Sequence, residues 1–179
     1  MLEPIGTIYD CHRFRSRLEA RWAVFFKKLG IKYEYEKEGF NLDGNWYLPD
    51  FWLPNQQCWI EIKGEEPTAE EIEIASKLAH HSGYIVYIFF GQIEIPGADN
   101  ENDGAYLYDS LELSDNCQFW CECPKCGELG IEFEGRAHRL PCNCFDEEKD
   151  RRGYNAHSEK LIAAYKAAKF ARFEHGEKG

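Results

Sequence analysis

The sequence predicts an α/β fold in which a mixed sheet is flanked by helices and carries a small cysteine-rich insertion. Three observations predict it. Residues 13–29 repeat apolar side chains at helical spacing; residues 31–63 alternate through short segments broken by turn residues; and a second helical pattern after Pro67 leads into an apolar, β-branched run at 84–90. Helix, three-stranded meander, crossover helix and strand is an order that lays helices against a sheet of mixed direction.

Each element has its own signal. In the first helix Phe14, Leu18, Phe25 and Leu29 fall near one stripe with Trp22 and Phe26 beside it, and Gly30 is a stop. Ser16 offers no clear cap. Glu19 sits at the edge of the apolar face, where a helical carboxylate reaches a site without entering the core. Ile31 to Lys37 alternates as a half-buried strand does, and Gly39 and Asp43-Gly44-Asn45 mark turns. Trp46 to Leu53 reads as a second strand, with Pro49 favouring an edge or initial position. Cys58 to Lys63 is the third, and period two puts Glu61 and Lys63 on one face. Thr68 is the expected N-cap of the next helix, with Glu71 in the capping-box position and Gly83 as the stop. Tyr84 to Phe90 reads as an interior strand. Ala105–Tyr108 and Leu111–Leu113 form a plausible strand pair, and Asn155 to Phe173 returns to a helical pattern that packs back on the sheet. The predicted division is a core over 1–116, a cysteine-rich insertion over 117–148 and a C-terminal helix within 149–179.

The chain of 179 residues is 44% hydrophobic, enough for one domain with a small appendage. No apolar run approaches the length of about 18 residues that a bilayer span needs, and the start lacks the basic-then-apolar pattern of a signal peptide, so a cytoplasmic setting and no membrane partner are expected. Net charge is −11, unfavourable for a protein that meets a polyanion. Its distribution is uneven. Residues 1–40 carry +2, residues 41–148 carry −17 and residues 149–179 carry +4. The two flanks can form a basic face while the acidic centre turns elsewhere.

Chemistry concentrates in two places. The first is Glu19, then Pro49-Asp50, then Glu61-Ile62-Lys63. Asp50 and Glu61 can share one Mg²⁺ or Mn²⁺ if their strands are adjacent, because hard carboxylate oxygens suit such ions. The carbonyl of Ile62 completes the coordination and Glu19 approaches from the helix. Lys63 is placed to orient or deprotonate a water, and a neighbouring cation is expected to depress its pKa. Both acids sit among Trp, Ile, Leu and Phe, where a charge needs a reason. Arg13, Arg15, Arg17 and Arg21 flank the first helix as candidate phosphate contacts, with solvated helix surface as the plainer account.

The pattern resembles the PD-(D/E)xK nuclease superfamily over roughly residues 12–90, with Pro49-Asp50 and Glu61-Ile62-Lys63 as the two motif halves and Glu19 as the acidic residue of the first core helix. Phe14-Arg15-Ser16-Arg17-Leu18-Glu19-Ala20-Arg21-Trp22 is similar to the opening of small nucleases of phages and mobile elements. The resemblance implies a restriction-endonuclease-like core and metal-dependent hydrolysis of nucleic acid, DNA more than RNA. The helix after Lys63 departs from some branches, since it opens with Glu65, Glu66, Glu70, Glu71 and Glu73 and offers Lys77 as its base. The rival is a catalytically inactive module of the same fold that binds or inhibits a protein partner, a role the −17 centre suits.

The second place is the cysteine cluster. Six of the eight cysteines lie between 117 and 144, and Cys123-Pro124-Lys125-Cys126 with Cys142-Asn143-Cys144 supplies four thiolates at metal-ligand spacing. Gly130–Gly135 and Ala137–Leu140 read as a hairpin, and the whole resembles a zinc ribbon holding structural Zn²⁺. An iron–sulfur cluster is the alternative, Cys121 and Cys117 are alternative ligands, and His138 is a weaker one. The segment's bases Lys125, Arg136 and Arg139 favour nucleic acid; its glutamates favour a protein or the main domain. Cys11 and Cys58 are expected to be buried thiols.

Overall fold

The computed structural model describes residues 6–97, 106–109, 118–133, 142, 144 and 156–173. A hairpin of β1 (Thr7–Tyr9) and β2 (His12–Phe14) precedes helix α1 (Arg17–Leu29). Strand β3 (Glu34–Tyr35) is followed by a second hairpin, β4 (Phe40–Leu42) with β5 (Asn45–Tyr47), and then by β6 (Phe51–Leu53) and β7 (Cys58–Lys63). Helix α2 (Ala69–Ser82) leads to β8 (Ile85–Phe90) and β9 (Tyr106–Asp109). A third hairpin, β10 (Gln118–Glu122) with β11 (Leu129–Phe133), carries the first cysteine pair, and α3 (Glu159–Phe170) follows.

Among the described residues the central sheet has five strands in the order β3-β6-β7-β8-β9. Only β7 and β8 run parallel among the described residues, and α2 is the crossover that a parallel neighbour requires. The sheet is mixed and flanked by helices, as the sequence predicts. Alternation along the strands sorts side chains to two layers. Phe51, Leu53, Ile60, Ile62, Tyr87 and Phe89 face the layer of α1, whereas Trp52, Trp59, Val86 and Ile88 meet α2. Trp22 of α1 stacks on Phe89 with ring centroids 4.5 Å apart.

The helix termini follow from local chemistry. Thr68 and Glu71 make both halves of a capping box, and Gly83 closes α2 in the left-handed region at φ 75°. Ser16, where the sequence offers no clear cap, does cap α1: its Oγ accepts from the Glu19 N–H at 3.1 Å. Ser158 caps α3, which therefore starts later than the periodicity suggests. α3 packs on α1 rather than directly on the sheet, with Tyr165 4.6 Å from Phe25.

Other differences have physical reasons. The single strand expected over 46–53 is two, because Pro49 has no N–H to give the ladder and the chain changes partner there: β5 pairs with β4, β6 with β7. The strand expected over 31–37 shrinks to two residues, since Glu36 turns at φ 46°. The β1–β2 hairpin is absent from the sequence reading; its two-residue turn is Asp10-Cys11, both at positive φ, without the Asn-Gly that announces such turns. Among the described residues the cysteine-rich hairpin pairs 118–122 with 129–133, a partner for the second strand that the sequence does not announce. The predicted segments Leu111–Leu113 and Ala137–Leu140 lie outside the described residues, as do Cys117, Arg136, His138 and Arg139. Trp120 fastens this hairpin to the core, 5.8 Å from Phe25 and 6.0 Å from Phe26. Among the described residues no helix is long and apolar enough to cross a membrane.

Candidate functional site

Asp50 directly precedes β6, and Phe51 pairs with Ile60 on β7. Continuing that register by one pair sets Asp50 across from Glu61. Period two then assigns Asp50, Glu61 and Lys63 to the sheet face of Trp52 and Trp59. Both acids are buried, 3% and 2% exposed. Asp50 Oδ2 accepts from the Ile62 N–H at 2.7 Å, and its Oδ1 accepts from Arg15 Nη2. Glu61 Oε2 accepts from the Tyr47 hydroxyl at 2.6 Å and lies 3.6 Å from Lys63 Nζ. Glu61 Oε1 is buried with no hydrogen-bond partner among the described residues. Lys63 Nζ also lies 3.5 Å from Glu71 Oε1, so the α2 capping residue reaches the same group.

Glu19 is engaged differently. Its Oε1 accepts from Ser16 Oγ at 2.7 Å, and its Oε2 accepts from the Tyr35 hydroxyl at 2.6 Å and the Arg15 N–H at 3.1 Å. It fastens the start of α1 to β3. Its charge is felt at Asp50, but Glu19, Asp50 and Glu61 do not bring three ligand atoms within one ion's reach; among the described residues the four cysteines alone do so. Arg15 bridges Asp50 and Glu36, its Nε 2.9 Å from Glu36 Oε1. Of the other flanking arginines, Arg21 Nη1 reaches Gln92 Oε1 at 3.4 Å, Arg13 is exposed and Arg17 is half-buried on α1.

Electrostatics follow burial. Burial drives the Asp50 carboxyl well above its ordinary range, the charges of Glu61 and Glu19 add to it, and the Ile62 N–H and Arg15 only partly oppose. Burial also raises Glu61 against the pull of Lys63 and Tyr47. For Lys63, burial works against the charge, but Glu61, Asp50 and Glu71 outweigh it and its pKa is raised. The depression expected from the sequence rests on a neighbouring cation; the carboxylates that surround Lys63 act in the opposite direction. Tyr47, Tyr35, Ser16 and Arg15 as the partner of Asp50 are the residues the sequence reading missed. Only Ser16 carried a signal, since Ser-x-x-Glu is itself a capping pattern.

The cysteine cluster is more compact. Sγ atoms of Cys123, Cys126, Cys142 and Cys144 all lie within 4.8 Å of one another and can hold a metal ion. The Cys123–Gly127 turn makes this local: Gly127 N–H donates to Cys123 O at 2.8 Å, Cys123 N–H donates to Glu128 O at 2.8 Å, and Gly127 takes φ 75°. Lys125 Nζ donates to Cys144 O at 2.9 Å and ties the two pairs together. Burial works against a Cys123 thiolate, but backbone N–H groups of Cys126 and Lys125 and the neighbouring thiols bring its pKa down to about 7. Cys142 is pushed up to about 12, chiefly by burial. Cys121 is buried on β10, outside the foursome. Cys58 is buried as expected; Cys11 is exposed, a correction, because it forms the tip of the β1–β2 hairpin.

A cleft of about 410 Å³ lies elsewhere, between that hairpin and the start of β3, lined by Asp10, His12, Lys27, Lys32 and Tyr33. No family model, curated protein or solved structure matches this chain.

Proposed function

We propose that the protein is a divalent-cation-dependent nuclease of the PD-(D/E)xK type, with a restriction-endonuclease-like core, that hydrolyses phosphodiester bonds in DNA more than in RNA. One observation carries this reading: two buried carboxylates from adjacent strands face the same layer, and one of their oxygens, Glu61 Oε1, has no hydrogen-bond partner among the described residues. An unpaired buried carboxylate oxygen beside a second raised acid is costly, and a hard cation relieves both costs. Asp50, Glu61 and the Ile62 carbonyl are the residues that would hold Mg²⁺ or Mn²⁺. Such an ion supplies a Lewis acid for the phosphate and lowers the pKa of a bound water. Lys63, already tethered to Glu61, orients that water. Arg15 is released from Asp50 toward a phosphate oxygen, a role its planar fork suits. Glu19 acts as a positioning residue: it holds Arg15 and the start of α1 in place.

The cysteine foursome is assigned structural Zn²⁺. A closed set of four sulfurs on two short turns suits it, and the small hairpin it closes brings only a few core residues of its own. Metal analysis is expected to find about one zinc per chain.

The test is cleavage of single- and double-stranded DNA and RNA with Mg²⁺, with Mn²⁺ and with chelator. Asp50→Ala and Lys63→Ala are each expected to lose at least about 100-fold. Cutting that survives both substitutions overturns the assignment. A folded, zinc-loaded protein that cuts nothing and binds a basic protein favours the inactive binding module.

A further inference from the structure

Lys63 ends β7, and its backbone is fixed where its side chain is not. It pairs with Phe90 across the parallel ladder, and its carbonyl accepts from the Gly91 N–H at 3.0 Å. Beyond the backbone runs a flexible four-carbon stem, so the place of the ammonium depends on what holds its tip. Two carboxylates bracket Nζ: Glu61 Oε2 at 3.6 Å and Glu71 Oε1 at 3.5 Å. They come from different elements, β7 itself and the first turn of α2.

The two oxygens of Glu71 divide their work. Oε2 accepts from the Thr68 N–H at 2.9 Å and from the Thr68 hydroxyl at 3.1 Å, which is the glutamate's half of the capping box. Oε1 is left facing Lys63. Capping thus uses one oxygen and fixes the carboxylate, and the other is delivered to one spot with the side-chain entropy already spent. A glutamine caps a helix equally well. What the carboxylate adds, besides the general attraction of an anion to a helix N-terminus, is the pairing with Lys63. The two side chains are 24% and 36% exposed, so the pair adds little to folding. What it supplies is position.

The two carboxylates are equivalent only while no cation is bound. Glu61 and Asp50 are the residues assigned to the divalent ion. A Glu61 that gives its charge to such an ion loses its pull on the ammonium, and like charges then drive Lys63 outward. Glu71 is the anion left to keep it in place. Resting on the nuclease reading, we infer that Glu71 is a positioning residue for the reaction: it holds the Lys63 ammonium beside Glu61, where that group orients the attacking water, and the capping box of α2 is the mount that keeps it there.

The experiment compares Glu71→Gln with the native chain and crosses it with Lys63→Ala. Glutamine keeps the cap, since its carbonyl can take the bonds from Thr68 while its NH₂ faces Lys63 without charge. Cleavage of DNA with Mn²⁺ should show kcat lowered about 10- to 100-fold and KM unchanged. In the Lys63→Ala background the same change should cost less than about twofold, because nothing is left to position. Mn²⁺ affinity by calorimetry should be unchanged, as neither Glu71 nor Lys63 is assigned as a ligand. A further readout needs no cutting. A water-soluble carbodiimide takes up one water as it joins a carboxylate to an adjacent amine, so an isopeptide bond between Lys63 and Glu71, located by mass spectrometry, records their contact. It should form without metal and undiminished with saturating Mn²⁺. Circular dichroism establishes that Glu71→Gln keeps its helices. Native kcat in Glu71→Gln overturns the inference. So does an equal loss in both backgrounds, which assigns the effect to the helix start, and so does a cross-link that disappears when Mn²⁺ is added. A loss of Mn²⁺ affinity of about tenfold or more makes Glu71 part of the metal's own shell and overturns it too. The two proposals separate. If the native chain cuts and Glu71→Gln cuts as fast, only the positioning role fails. If no nucleic acid is cut while the Lys63–Glu71 bond still forms with Mn²⁺, the hydrolytic reading fails and the tether stands.

Discussion

Replacing Asp50 by Asn should make the metal-free protein more stable. Asp50 and Glu61 are both buried, and each has its pKa raised by burial. Wherever both are ionised, the fold holds two like charges in one place. Asparagine keeps the shape and one acceptor for the Ile62 N–H, which donates to Asp50 at 2.7 Å. It gives up the pairing with Arg15, whose side chain is 55% exposed, so that loss is at most ~1 kcal/mol. Removing the poorly compensated buried charge returns about 2–3 kcal/mol. The net gain of about 1–2 kcal/mol raises the unfolding midpoint by about 2–8 °C for a chain of this size. The pH dependence follows from the direction of the shifts. A raised carboxyl contributes stability below its ordinary range and loses it as pH rises through its folded value, so the Asn advantage should vanish in acid and be complete above that value. Mn²⁺ should invert the order. A ligand at a hundred times its Kd adds about 2.7 kcal/mol to a protein that binds it, and Asp50→Asn should gain far less. The assay is thermal unfolding across pH, after dialysis that removes Mg²⁺ and Mn²⁺ but leaves zinc. A variant less stable than its parent at neutral pH without metal would refute the reasoning, as would equal stabilisation of both by Mn²⁺.

Tyr47→Phe removes the hydroxyl 2.6 Å from Glu61 Oε2 and leaves that oxygen with Lys63 at 3.6 Å; a charge-assisted hydrogen bond of about 1.5–3 kcal/mol corresponds to about one to two pH units, so the acid limb of kcat/KM against pH should move upward by that amount. Cys126→Ser alters an exposed side chain, so packing is spared, but bound zinc should fall well below one per chain and the midpoint should drop as the β10–β11 hairpin loses its clasp. Trp120→Ala empties a site that is 1% exposed between Phe25 and Phe26; chemical denaturation should report a loss of about 3–5 kcal/mol, with zinc content retained.

Local signals were legible and partnerships were not. Thr68 and Glu71 read as a capping box and form one, because every atom involved lies within one turn. The two cysteine pairs were legible for the same reason, and Lys125 then brings them together. The opposition of Asp50 and Glu61 could be expected once β6 and β7 were taken as adjacent strands joined by the turn after Pro54. Glu19 shows the limit. Ser16-x-x-Glu19 is a helix-start pattern, and the carboxylate's hydrogen bonds to Ser16, Arg15 and Tyr35 give it a structural duty that a reading as a metal ligand leaves out. Arg15 meeting Asp50 and Tyr47 meeting Glu61 are contacts across space, and no spacing in the chain announces them. Pro49 is visible in the sequence, but its power to hand the chain from one hairpin to another sheet depends on where the partner strands stand.

The way α3 closes over α1 bears on how the molecule comes into being. Tyr165 reaches Phe25 and Trp22, so the aromatic stripe of an early helix is sealed by a segment that leaves the ribosome much later. Such distant pairings are slow to form, and the unfinished intermediate presents its rings to whatever is nearby. The same early helix begins at Ser16, beside Arg15 and Glu19. A chain interrupted before residue 159 therefore lacks the seal over Trp22 and Phe25, and the helix that carries Glu19 keeps its aromatic stripe open until synthesis has passed that point.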